Sequence, residues 1–228
     1  MSGDDFKKWI DAWDPSEDGW VSEFEDLKSG PPLSDHELQN ARADLARWRA
    51  PISFRREFEA LYKRCRVGDF KNPRATFLRD AWTLAKFVRY KSVDQVRLAD
   101  PSDGWPDGYV KIDQTVEKNV EVTMAPMPGR KMWDEHQPNA KPQHDHEHNW
   151  VKRAEAIPVA LGQAITAKLE KQISSKMWLV VYLNINAGYG FAGERERQAE
   201  TERVIAEIKQ RHAGSVEQLF VIWNGKLL

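Results

Sequence analysis

A single cysteine, Cys65, stands in a chain of 228 residues, which excludes an intrachain disulfide and fits a reducing cytosol. Long hydrophobic runs are also missing. The longest, Met177–Leu183, is far below the roughly 20 apolar residues that a membrane helix needs. The start, MSGDDFKKW, carries no apolar signal-peptide core. A cytoplasmic protein with no membrane partner is therefore expected. The chain has neither a P-loop lysine motif nor a G-x-S-x-G elbow. Gly188-Tyr-Gly190-Phe-Ala-Gly193 is formally a G-x-G-x-x-G. However, the next strand ends at Trp223 with Asn224 and Gly225, so no acid follows to hold a ribose, and a flexible glycine loop is the better reading.

What is present is apolar mass and segregated charge. Hydrophobic residues make up 41% of the chain and tryptophan occurs ten times, enough for one substantial core. The formal net charge of −1 hides a division. Residues 1–37 hold eleven acids against three bases, while residues 42–91 hold fourteen Lys or Arg against five acids. The basic block could meet phosphates, with the acidic block as a shield, or the two blocks could simply attract each other.

Periodicity sets the order of elements. Phe6, Trp9, Ile10 and Trp13 suit a short helix over 4–13. Asp14–Glu25 matches much of a calcium-binding EF-hand loop, but Pro15, the lack of a second loop and the shorter DPSDGW at 100–105 favour Asp-Gly turns. Ser34 and Glu37 form a capping-box pattern for a helix to about Arg49. Pro51 opens a second helix with Ile52, Phe58, Leu61, Tyr62 and Cys65 on one stripe, which makes Cys65 a core thiol. Asn72-Pro73 caps a third, to about Tyr90, with Phe77, Leu78, Ala81, Trp82, Ala85 and Val88 inward. A short strand at Val96–Ala99 follows. Residues 126–156 read as a loop insertion, and its HDHEH places His144, His146 and His148 on one side of an extended chain, where a solvated loop is favoured over a metal site. A helix from Ile157 to about Ser175, a buried strand at 177–184, a helix near 194–212 and a last strand at 219–223 complete the chain.

The stretch that organises the rest is PDGYVKIDQTVEKNVEVTM, 106–124. Val110, Ile112, Val120, Val122 and Met124 alternate with polar neighbours, as in a hairpin with one buried face. Asp107, Tyr109, Lys111, Glu121 and Thr123 share the other face. A turn centred near Thr115 sets Asp107 opposite Thr123 and diagonal to Glu121, at a spacing of roughly 7 Å. Two converging carboxylates can hold a hard divalent cation, or they can be ordinary charges on an exposed hairpin face.

The element order, with Pro106-Asp107 opening one strand and Glu121-Val122-Thr123 in the next, resembles the PD-(D/E)xK nuclease superfamily over roughly residues 52–223. The resemblance implies an α/β fold, in which a mixed central sheet flanked by helices forms a restriction-endonuclease-like core. Residues 1–50 are then an acidic helical N-terminal extension and 51–228 the core, with 126–156 inserted. It also implies a metal-dependent phosphodiester hydrolase, a nuclease acting on DNA or RNA with Mg²⁺ or Mn²⁺. The alternative is a catalytically inactive relative that binds nucleic acid or a protein. Carried over residue by residue, Asp107, Glu121 and the Val122 carbonyl are metal ligands, and Glu57 is the assisting acid of the first core helix. The partners implied are nucleic acid and, as an allowed arrangement, a second copy in a homodimer. The chain departs from the family where its lysine belongs, because that position holds Thr123. Lys111, Lys168 and Lys171 are the candidate replacements, and Lys168 is preferred as the first in its helix.

Overall fold

The computed structural model describes residues 31–66, 69, 72–128, 147–171, 176–185 and 194–228. The expected helix at 4–13, the Asp14–Glu25 loop, His144, His146 and the 188–193 glycine segment lie outside the described residues. The chain is mixed α/β. Among the described residues, six strands form one sheet in the order of the sequence: β1 (Gln95–Leu98), β2 (Gly108–Ile112), β3 (Val116–Pro126), β4 (Trp178–Asn184), β5 (Gln218–Trp223) and β6 (Lys226–Leu227). β1–β2–β3 is an antiparallel meander, β3–β4 and β4–β5 are parallel, and β6 returns antiparallel along β5.

Helices cover both faces, because the alternating side chains of the central strands are apolar on both sides. Helices α1 (Asp35–Leu45), α2 (Pro51–Tyr62) and α3 (Phe77–Tyr90) enclose one core with Val110, Val120, Val122, Trp178, Val180 and Ile222. On the opposite face, α4 (Glu147–Leu169) and α5 (Glu194–Arg211) enclose a second core with Ala125, Leu179, Val181, Leu183 and Trp223. Six of the seven β4 residues are buried, as a strand covered on both faces requires.

The α1 start is the expected capping box: Ser34 Oγ accepts from the Glu37 amide, and the Glu37 carboxylate accepts from the Ser34 amide. Leu38 and Leu45 are buried in the same core as α2 and α3. The described part of the supposed extension, 31–50, therefore belongs to the core rather than standing apart from it. Asp35 pairs with Arg74 and Glu37 with Arg64, so at these points acidic and basic blocks do attract each other.

Three boundaries differ from expectation. Asn72 caps a 3₁₀ turn, Pro73–Ala75, and the α-helix starts only at Phe77. β3 runs to Pro126 and α4 begins at Glu147, so 147–156 belong to a helix rather than to the expected insertion. The helix expected from Ile157 starts at Glu147 instead, and Pro158 lies inside it, where it forgoes one backbone hydrogen bond. His148 falls in the first turn of that helix, not in an extended chain. Cys65 is fully buried, and burial pushes its thiol up to about 12, as suits an inert core position. Ile52 is half-exposed and lies off the stripe, which Phe54 occupies instead.

Candidate active site at the end of the hairpin

The hairpin turn is Asp113-Gln114-Thr115, with positive φ at Asp113 and Gln114. Its ladder runs from Ile112↔Val116 to Gly108↔Val120. The turn is thus centred on Gln114, and the expected register is corrected: continuing the pairing sets Asp107 opposite Glu121, not Thr123. A two-residue change of register keeps both acids on one face, so the shared face survives the correction.

Asp107 is held by its neighbours on both sides. Gly108 follows it, and a Cβ there would meet Leu84 Cδ1 at 2.5 Å and the Arg97 carbonyl at 2.9 Å. Only glycine lets α3 and β1 close on the strand at this point. The Asp107 carbonyl accepts from the Ala99 amide at 3.1 Å. Its carboxylate accepts from the Val122 amide at 2.9 Å, just past the last β2–β3 pair, where β2 no longer supplies a backbone acceptor.

Lys168, near the end of α4, reaches the same place. Its Nζ donates to Asp107 Oδ2 at 2.9 Å and makes a short hydrogen bond to Glu121 Oε2. Glu121 is 3% exposed, because α4 covers the hairpin face that alternation alone would leave open to water. A fourth group faces Asp107 from the other side of the sheet. Asp80 on α3 lines a cleft of about 170 Å³ together with Asp107, Arg42, Phe77, Pro106 and the 98–104 segment.

The charges here do not cancel. Burial, then the Asp107 charge, pushes Glu121 up to about 7, although Lys168 opposes the shift. Asp80 is also raised to about 7, for the same two reasons in the same order. The two acids hold the Lys168 ammonium above its ordinary range despite its burial, so it stays protonated at neutral pH. Near neutral pH Glu121 and Asp80 thus retain protons that exposed acids would have lost.

Among the described residues, no group of three or more His, Cys, Asp or Glu is arranged to hold a metal ion. The donor set nevertheless suits a hard divalent cation. Two carboxylates already converge on one positive charge, and negative charge is in excess around it. In an extended strand, the N–H and C=O of one residue point to the same edge. The Val122 carbonyl therefore shares the edge where its amide meets Asp107.

Of the candidate lysines, Lys168 is the one brought to both acids. Lys111 lies 4.3 Å from the Trp48 ring instead, and Lys171 is exposed. Glu57 is not in the cluster. It is exposed on α2, 4.0 Å from Arg49, and lines a separate groove between α1 and α2. Asp80, on α3 rather than on the first core helix, is the helix acid that lines the cleft with Asp107. In sequence it lies between Phe77 and Ala81, and it is part-buried at the margin of the apolar stripe of α3. Compared with protein-family models, curated proteins and solved structures, the chain finds no match in any of the three.

Proposed function

We propose that this protein is a metal-dependent phosphodiester hydrolase of the PD-(D/E)xK kind, acting on DNA or RNA with Mg²⁺ or Mn²⁺. The observation that carries this reading is the meeting of Asp107, Glu121 and Lys168 from three separate elements, with Asp107 Oδ2 and Lys168 Nζ 2.9 Å apart. A D…E-x-T hairpin that receives its lysine from α4 retains the charges the chemistry needs while changing the element that delivers one of them.

Asp107, Glu121 and the Val122 carbonyl would hold the divalent ion. Bound there, it would supply Lewis acidity toward the phosphate and lower the pKa of a water. The chain's own work is positional and electrostatic. The Val122 amide fixes the Asp107 carboxylate, and α4 excludes water from Glu121. Lys168, kept protonated, orients the attacking water or stabilises charge developing on the phosphate. It acts as a cation, not as a base, because its pKa is raised. Asp80, with a pKa near neutral, is suited to take up a proton at the cleft side of Asp107.

A second reading has its own observation. Lys168 already neutralises much of Asp107 and Glu121, and Thr123 offers no cation, so the same cluster would suit a silent relative that binds nucleic acid or a protein. Incubating the protein with single- and double-stranded DNA and RNA in Mg²⁺, Mn²⁺ and EDTA separates the two. Metal-dependent cleavage that vanishes in Glu121→Gln is expected. Intact substrates under every condition would leave only the silent relative.

A further inference from the structure

Arg42 lines the same cleft as Asp80 and Asp107. Its guanidinium carbon is 5.9 Å from the Phe77 ring centroid, and its Nε is buried without an acceptor. Arg66 and Arg97 also bury Nε without an acceptor, but Arg66 donates through Nη1 to the Arg64 and Cys65 carbonyls and Arg97 lies 3.9 Å from Asp103. Arg49, Arg55, Arg64 and Arg74 each pair with a carboxylate, whereas Arg42 makes no ion pair or side-chain hydrogen bond among the described residues. A buried donor without a partner costs stability, and such a cost is tolerated where a ligand supplies the acceptor.

We propose that Arg42 receives a non-bridging oxygen of the substrate phosphate, making this cleft the seat of the phosphodiester beside the carboxylates. The inference rests on the hydrolase reading and names a further residue that touches the substrate. The cleft volume, about 170 Å³, is below the roughly 300–1,000 Å³ of pockets that enclose a whole small ligand. It therefore takes one group projecting from a larger molecule, as a phosphate in a polymer does. A guanidinium suits that group because its fixed fork of donors matches phosphate oxygens. The same cleft carries Asp80, Asp100 and Asp107, so an anion entering alone is repelled. The seat becomes favourable only when a divalent ion offsets the carboxylates, and binding is therefore metal-dependent.

The test is anisotropy of a short, labelled, single-stranded DNA of mixed sequence titrated with the full chain. Ca²⁺ replaces Mg²⁺ to suppress cleavage, with EDTA as a parallel arm, and cleavage in Mg²⁺ is scored separately. Arg42→Gln is expected to weaken binding in Ca²⁺ by about tenfold or more. Arg42→Lys should recover part of that loss. Arg74→Gln, which removes an equal charge from a pair with Asp35, should change it less than twofold. Equal weakening in Arg42→Gln and Arg74→Gln would reveal a diffuse charge effect and overturn the proposal, as would unchanged binding in Arg42→Gln. Binding that depends on Arg42 without any cleavage leaves the seat standing and removes the hydrolase reading. Cleavage that is indifferent to Arg42 does the reverse, and a chain that neither binds nor cleaves removes both.

Discussion

Two rows of side chains lie next to each other on one face of the β1–β2–β3 ribbon, and they hold charge in opposite ways. In the first, Arg49 bridges to Val96, which sets Trp48 beside Arg97, and Arg97 pairs across to Tyr109. The Arg97 guanidinium is 4.0 Å from the Tyr109 ring and 5.1 Å from Trp48, while Lys111 caps Trp48 at 4.3 Å. Asp103 lies 3.9 Å from Arg97 and accepts from the Tyr109 hydroxyl at 3.2 Å. Cations there rest on aromatic faces and beside an acid. The second row, two residues back from Tyr109 and just before β2, is Asp107 and Glu121, joined by Lys168. There the acids outnumber the cation, and burial raises what they cannot neutralise. Charges satisfied by rings brace a fold, whereas charges left in excess in a buried place are poised for chemistry.

The largest break in this comparison is expected at Lys168. Lys168→Ala should cut turnover by roughly a hundredfold or more. It should also tighten Mn²⁺ binding in a calorimetric titration, because ammonium and ion compete for the same two carboxylates. Lys111→Ala, in the braced row, should keep turnover within about twofold. A loss at Lys111 equal to that at Lys168 would erase the distinction between the rows.

A smaller effect is expected in the pH dependence of stability. Glu121 and Asp80 titrate near 7 in the folded chain, against ordinary values of 4.5 and 3.8. Between about 4.5 and 7 the folded state binds more protons than the unfolded state, so stability must fall as pH rises through that window. Tm should therefore drop by about 3 °C or more from pH 5 to pH 8. Glu121→Gln should flatten the slope, and saturating Mg²⁺ should restore Tm at pH 8. A Glu121→Gln slope identical to that of the parent would mean that its charge is not held in excess.

The braced row should show the smallest response. Trp48→Ala removes the ring under two cations and should cost about 1–2 kcal/mol, or a few degrees in Tm, with turnover unchanged. A change in the pH slope in this variant would link the rows electrically and blur the contrast.

Much of the scaffold was legible locally. The capping box at Ser34, the inward stripe of α3 from Phe77 to Val88, the buried β4 and the shared face of Asp107 and Glu121 all follow from spacing within one element. Errors arose where two local signals competed. The helix expected from Ile157 instead begins at Glu147 and passes through Pro158 over 23 residues. The hairpin centre depended on which of the polar residues 113–115 form the turn, and positive φ at Asp113 and Gln114 decided it.

Alternation and helical period determined which side chains share a face, because those patterns are written within a few residues. Tertiary structure decided what each face meets. Lys168 lies 61 residues from Asp107 and 47 from Glu121 along the chain, and no local pattern records such a partner. Asp80 rather than Glu57 stands at the cleft with Asp107 because α3 packs against the sheet at this point while Glu57 lies exposed on α2. Whether Glu121 ends in water or under a helix depends on where α4 lands, and landing is set by the fit of two whole cores across one sheet.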